Sequence, residues 1–154
     1  MSTQSVFDPE TFLHLEIDSA METAYTPVDE GEYEAYIEDV EASVVKTQDG
    51  DKGVLNVTYA LTEESVKAST GMDHPTVRQT LWLDFDDSGS LLFGKQKNVK
   101  LGRLREAVGQ NVDGRPWSPS QLIGAGPVVI RVTHRYNKET GDGPYANVTR
   151  VAAG

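Results

Sequence analysis

An aromatic and a basic side chain stand on the polar side of a strand-like segment, where they could contact a ligand. Between residues 76 and 85, Arg78 and Trp82 alternate with apolar residues and therefore project from the outer face. Asn56 and Thr58 project in the same way from the strand-like segment 54–61. Single-stranded nucleic acid binds where its bases stack on aromatic rings in a positively charged groove. These four residues are therefore candidate nucleic-acid contacts; the alternative is that the N-terminal segment or a helix covers Trp82.

A second group of candidate contacts lies around the loop at residues 136–144. Its members are Arg131, Arg135, Tyr136 and Lys138. Side chains of this kind bind the phosphate backbone, which positions a strand without reading its sequence. We expect them to form a rim beside the face that carries Trp82. A basic strip at residues 95–105 is either a further phosphate contact or, more commonly for such helices, a solvated face.

Catalytic and metal-binding motifs are missing from the sequence. The three histidines, His14, His74 and His134, are far apart and lack the spacing of zinc ligands. Neither the phosphate-binding glycine motif nor the nucleophile-elbow motif occurs. We expect no enzymatic activity, no metal and no cofactor. Without cysteine, disulfides and thiolate metal sites are also excluded.

Charge is distributed unevenly along the 154 residues, whose formal net charge is −10. Residues 1–66 contain two basic and 16 acidic residues, a net charge of −14. Residues 67–154 contain 12 basic and eight acidic residues, a net charge of +4. An acidic protein with a basic sector can still bind phosphates, because the local field decides the affinity.

Hydrophobic periodicity predicts the strands and helices that must position these residues. Alternation predicts strands at 32–45, 54–61, 76–85, 127–135 and 145–151, and helical spacing predicts a helix at 98–108 and one turn at 118–122. A change of phase between Ile37 and Val40 predicts a β-bulge, and Gln79 interrupts the inward face of the third strand. Asn98 and Gly109 suit the two ends of the helix. Residues 62–75 are expected to be a polar connection, and Trp117 to plug one end of the fold.

The element order β-β-β-α-β-β, with the main helix between strands three and four, is that of the oligonucleotide/oligosaccharide-binding (OB) fold. We therefore expect a mostly β protein, with a five-stranded OB-like barrel at residues 31–154. Residues 1–30 are expected to be an N-terminal arm, in which a short helix or strand follows Asp8-Pro9-Glu10. The arm would lie along the domain or against a neighbour.

Several segments between residues 31 and 151 resemble a family of small phage single-stranded DNA-binding proteins with this fold. The resemblance rests on Gly31-Glu32-Tyr33, on the helix Leu101–Gly109 ending in Ala-Val-Gly, on Leu122-Ile123-Gly124 and on Asn147-Val148. It implies a protein that coats transient single strands during replication or recombination without sequence specificity. Its partners would be single-stranded DNA and phage replication or recombination proteins, and its location the host cytoplasm. Many such proteins end in an acidic tail, whereas this chain ends Arg150-Val151-Ala152-Ala153-Gly154.

A structural protein of a phage virion, such as a capsid decoration or tail component, is the alternative function. A small acidic β domain with an arm could dock on a lattice, and the arm could also join copies into a homo-oligomer. No apolar run approaches the ~20 residues that a membrane-spanning helix needs, so we expect no membrane association.

Overall fold

Five strands and three α-helices make up the computed structural model, which describes residues 6–154. The strands are β1 (Gly31–Thr47), β2 (Gly50–Leu61), β3 (Thr76–Trp82), β4 (Val128–Arg135) and β5 (Tyr145–Ala153). The helices are α1 (Pro9–Leu13), α2 (Glu64–Thr70) and α3 (Val99–Ala107), and a 3-10 turn spans Pro119–Leu122. The protein is therefore mostly β, as the alternation of apolar and polar residues predicted.

The two longest strands, β1 and β2, form an antiparallel hairpin and are joined by the turn between Thr47 and Gly50. The hydroxyl of Thr47 closes this turn by donating to the carbonyl oxygen of Gly50 at 2.6 Å. The register shifts between Ile37 and Asp39, which confirms the predicted bulge. The bulge bends β1 so that its first part pairs with β4, while most of its length pairs with β2.

The strands close into a ring in the order β1-β2-β3-β5-β4. Every neighbouring pair is antiparallel except β3 and β5, which are parallel and joined at one residue pair, Arg78 and Asn147. Beyond that pair, α3 packs against β5 and inserts Leu101 and Leu104, which are 5% and 1% exposed, into the core. The helix thus covers the part of the ring that backbone hydrogen bonds leave open.

The core lies inside the ring and contains one polar pair. Its largest buried side chains are Tyr59, Ile37, Leu81, Leu104, Leu122 and Ile130. The Tyr59 hydroxyl donates a 2.6 Å hydrogen bond to Oε1 of Gln79, the residue that interrupts the apolar face of β3. Burial raises the pKa of the Tyr59 phenol above its ordinary value. The interruption in the pattern therefore marks a paired polar group, because a buried amide requires a partner.

Three sequence predictions differ, wholly or in part, from the structure. Residues 62–75 contain α2, which buries a single side chain, Val66, and therefore lacks an apolar stripe that the sequence could reveal. β3 ends at Trp82, so Phe85, expected inward, is 41% exposed and lies over Gly53. Asn98 occupies the N-cap position of α3 as predicted, but its side chain makes no cap hydrogen bond; its amide instead bonds the backbone of Asp84 and Leu92 at 2.8–2.9 Å.

The N-terminal arm packs against the core near its C-terminal end. Residues 6–26 are all exposed, whereas Val28 is 1% exposed and belongs to the core. Nε2 of His134 lies 2.7 Å from the carbonyl oxygen of Val28, and the Glu30 carboxylate accepts from the backbone N–H of His134 at 2.8 Å. Packing therefore begins about three residues before the predicted boundary at residue 31. The first five residues of the expected arm lie outside the described part of the chain.

Replacing Tyr59 by Phe tests the buried pair. The variant leaves Oε1 of Gln79 without its donor, so we expect the free energy of unfolding at neutral pH to fall by about 1–3 kcal/mol. In the wild type, the stability contributed by the neutral phenol is present below its ordinary pKa of 10.0 and is lost as the pH rises toward the raised folded pKa. Tyr59→Phe should therefore lose less stability than the wild type between about pH 9 and 11. Urea denaturation at both pH values measures this, and equal alkaline losses in the two proteins would contradict it.

Candidate functional site

The outer face of β2 and β3 carries four of the predicted contacts in register. Thr58 lies opposite Arg78, Asn56 opposite Thr80, and Trp82 opposite Val54 at the far end of β3. Trp82 is 54% exposed, so neither α3 nor the described part of the arm covers it. The exposed Trp82 ring can therefore stack on a nucleic-acid base.

Carboxylates on β1 border one side of this face. Glu41 lies opposite Asn56, and Asp39 lies opposite Thr58. The Asn56 amide is already engaged, because its Oδ1 accepts from the Thr80 hydroxyl at 3.0 Å and its Nδ2 donates to the Ser43 hydroxyl at 3.1 Å. A phosphate approaching Asn56 or Thr58 would meet these acidic neighbours. The β1 side of the face is therefore unfavourable for an anion, and the β5 side is favoured.

On the β5 side, Arg78 and Arg135 line one groove, which we call the junction groove because it lies where β3 meets β5. The groove has a volume of about 690 Å³ and also contains Tyr145, Asn147 and Met72. Among the described residues, no aspartate or glutamate lines it. Tyr145 is 52% exposed and lies opposite Arg135 in the β4–β5 register. The junction groove thus combines two cations with an accessible aromatic ring, which is the arrangement that binds a single strand.

The loop after β4 presents Tyr136 and Lys138 beside this groove. The backbone N–H of Asn137 donates to the carbonyl oxygen of Asp142 at 2.8 Å, which closes the loop. Gly143 has a φ of +134°, and a Cβ there would lie 3.2 Å from the Tyr136 ring and 3.0 Å from the Arg135 carbonyl oxygen. Only glycine fits this close approach. Tyr136 is 57% exposed and Lys138 is fully on the surface, so both can contact a ligand at the rim.

Arg131 lies away from the junction groove. It faces Arg150 across the β4–β5 ladder, and its guanidinium is 3.7 Å from the Glu32 carboxylate on β1. The second predicted group therefore does not form one surface. Arg135 lines the junction groove with Arg78, and Tyr136 and Lys138 lie in the loop beside it. Arg131 lies on another surface. Sequence reasoning missed Tyr145 and Asn147; the alternation of residues 145–151 placed them on a strand but could not show which strand they would meet.

The Trp117 side chain is held by contacts with neighbouring residues of the protein. Its indole N–H donates to Oε1 of Gln110 at 2.7 Å, and the Arg105 guanidinium lies 4.2 Å from its ring centroid. The ring is half-buried and packs against the core. These contacts hold the Trp117 ring against the core beside α3.

Among the described residues, no histidine or carboxylate lines the junction groove. Among residues 6–154, no three histidine, aspartate or glutamate side chains lie close enough together to hold a metal ion. His74 contacts Glu38, and His134 is engaged with the arm. None of the helices in the described part of the chain has the length and apolar character needed to cross a membrane.

Comparison with known proteins adds no family assignment: no protein-family model matches the chain, and a search of curated proteins finds no match.

Proposed function

We propose that the protein binds single-stranded nucleic acid without sequence preference, as a phage single-stranded DNA-binding protein of the OB type would. The observation that carries the proposal is the junction groove, where Arg78 and Arg135 flank the exposed Tyr145 and none of the described lining residues is a carboxylate. Cations beside accessible rings supply the two contributions that hold a single strand, phosphate contact and base stacking.

The exposed Trp82 extends this surface along β3. Arg78 and Trp82 are four residues apart on the same face, a distance of about 13 Å at the rise of a β-strand. A strand bound in the junction groove would continue along β3 to the Trp82 ring and away from Asp39 and Glu41 on β1. The order of strands in the ring and the helix between β3 and β4 support an OB-like barrel, whose ligands use this same region.

Substitution of the cations and the ring tests the proposal. We expect Trp82→Ala to weaken binding of a labelled oligothymidine by about 5- to 150-fold, the factor implied by one stacked base. Arg78→Ala with Arg135→Ala should flatten the salt dependence by about 1.4 units of slope, because each single-strand phosphate contact contributes about 0.7. Fluorescence anisotropy across a range of salt concentrations measures both effects.

Lys46→Ala with Lys52→Ala is the matched control, since it removes two cations from the β1–β2 hairpin, outside the junction groove. It should leave the slope within experimental error of wild type. Trp82→Ala should change the free energy of unfolding by less than about 1 kcal/mol, because the ring is more than half exposed. A wild type without salt-sensitive binding to single strands would overturn the proposal.

A structural role is the second candidate function, and the exposed arm favours it. The arm carries large apolar side chains that are each at least half exposed, namely Phe7, Phe12, Leu13, Leu15, Ile17 and Met21. Its described residues 6–26 include five acidic residues and no basic one. Exposed apolar surface on this scale marks an interaction segment.

The binding partner that suits the arm best is a second copy of this chain. A groove of about 680 Å³ along α3, the α3 groove, is lined by Leu91, Phe93 and Trp117 and by the cations Lys97, Arg105 and Arg115, with Asp113 as its one acidic residue among those described. An acidic, apolar arm complements a basic, apolar groove in both charge and polarity. We therefore propose that the arm of one copy docks in the α3 groove of another.

Light scattering after size-exclusion chromatography tests the arm. We expect the wild type to associate with increasing concentration, and Leu15→Glu with Ile17→Glu to remain monomeric. Val44→Glu places one glutamate at another exposed apolar position, 66% exposed on β1, and should behave as the wild type does. A wild type that stays monomeric at every concentration would exclude docking between copies. If it associates but does not bind single strands, the role of a virion component replaces the first proposal.

A further inference from the structure

A small basic pocket lies on the opposite side of the Arg78–Asn147 pair from the junction groove. β3 and β5 separate beyond that pair, and α3 covers the gap. The pocket has a volume of about 430 Å³. Its polar lining consists of Gln79 from β3, Lys100 and Arg103 from α3, and Thr149 and Arg150 from β5. Three elements that are distant in sequence thus contribute to one concave site.

Gln79 lines the pocket with an amide that has a free donor. The residue is 8% exposed, and its Oε1 accepts the hydrogen bond from the Tyr59 hydroxyl. That bond fixes the orientation of the amide, and Nε2 makes no hydrogen bond to any described residue. Nε2 is accessible to solvent, because Nε of Arg105 is the one fully buried polar side-chain atom without a partner among the described residues. It can therefore donate to a ligand in the pocket.

The pocket concentrates positive charge without a counterion. Lys100 and Arg103 are three residues apart on α3 and lie on the same face of the helix. No ion pair involves either residue, or Arg150, within residues 6–154, and no carboxylate is among the lining residues. Like charges brought this close repel one another, so their convergence favours an anionic ligand.

A β-bulge aims the β5 residues toward this site. The β4–β5 register shifts between Arg131 and Val132, which leaves Thr149 and Arg150 as two consecutive exposed residues. A regular strand would turn one of them inward. Bulges commonly redirect side chains beside functional sites. The Thr149 hydroxyl donates to the Arg131 carbonyl oxygen at 3.4 Å, and its oxygen can still accept a hydrogen bond.

We propose that this pocket binds a phosphate group. Nε2 of Gln79 would donate to a phosphate oxygen from the floor, while Lys100, Arg103 and Arg150 would neutralise its charge from the rim. Charge-assisted hydrogen bonds from guanidinium and ammonium groups are the strongest that phosphates accept. The site is separate from the junction groove, and the proposal holds whether or not the protein binds single strands. The phosphate belongs either to a free anion or mononucleotide or to the end of a nucleic-acid strand.

Isothermal titration calorimetry with four ligands tests the pocket and distinguishes the sources of phosphate. The ligands are inorganic phosphate, thymidine 5′-monophosphate, and one oligothymidine with and without a 5′-phosphate. Wild type should bind at least one phosphate monoester or inorganic phosphate at constant ionic strength. Tighter binding of the 5′-phosphorylated oligothymidine than of its unphosphorylated form would identify the strand end as the source. A response to the small ligands alone would identify a free anion or mononucleotide.

Four variants distinguish a specific phosphate site from general charge attraction. Lys100→Ala with Arg103→Ala should weaken phosphate binding by about 10-fold or more, while Lys46→Ala with Lys52→Ala on the β1–β2 hairpin should change it by less than about 2-fold. Gln79→Leu removes the amide donor at similar volume; because it also deprives Tyr59 of its acceptor, Arg150→Ala serves as the second variant if Gln79→Leu does not fold. Equal losses in the Lys46/Lys52 and Lys100/Arg103 variants, or no phosphate binding by the wild type, would overturn the proposal.

Discussion

Closure of the ring through a single residue pair is the constraint on which the remaining structure depends. Four of the five strand interfaces are antiparallel ladders, but β3 and β5 meet only at Arg78 and Asn147. A strand edge left unpaired must be covered or hydrated, because its backbone donors and acceptors need partners. α3 covers one side of the pair with Leu101 and Leu104. The other side remains open as the junction groove, and both proposed anion sites therefore flank the same pair.

Acidic and basic residues lie on opposite sides of β3, the strand at which the ring closes. The arm, β1 and β2 carry most of the acidic residues, whereas 12 of the 14 basic residues lie between residues 67 and 154. Since β3 lies between β2 and β5, its outer face separates an acidic side from a basic side. Within a Debye length of about 8–10 Å, a bound phosphate responds to the nearby cations rather than to the net charge of the chain. An overall charge of −10 is therefore compatible with an anion site at the β3–β5 junction.

Local patterns in the sequence predicted much of the fold and less of the site. Alternation gave all five strands, and the change of phase after Ile37 located the bulge, because both depend on neighbours in the chain. The sequence did not predict α2, because this helix buries only Val66. It did suggest Asn98 as a cap, because asparagine is common at N-caps, but it could not show that the Asn98 amide bonds the backbone of Asp84 instead. Arg78 and Arg135 were each predicted as contacts, but in separate groups. Their meeting depends on a parallel pairing between residues 69 positions apart, which no local pattern encodes.

Backbone chemical-shift perturbation on addition of oligothymidine to the ¹⁵N-labelled protein tests the central claim most directly. The claim is that the β3–β5 junction, rather than the β1–β2 hairpin, forms the nucleic-acid surface. We expect the largest shifts at residues 76–82 and 135–147, with small shifts at residues 39–52 on the acidic hairpin. Largest shifts on the hairpin, or uniformly small shifts at saturating oligothymidine, would contradict the account.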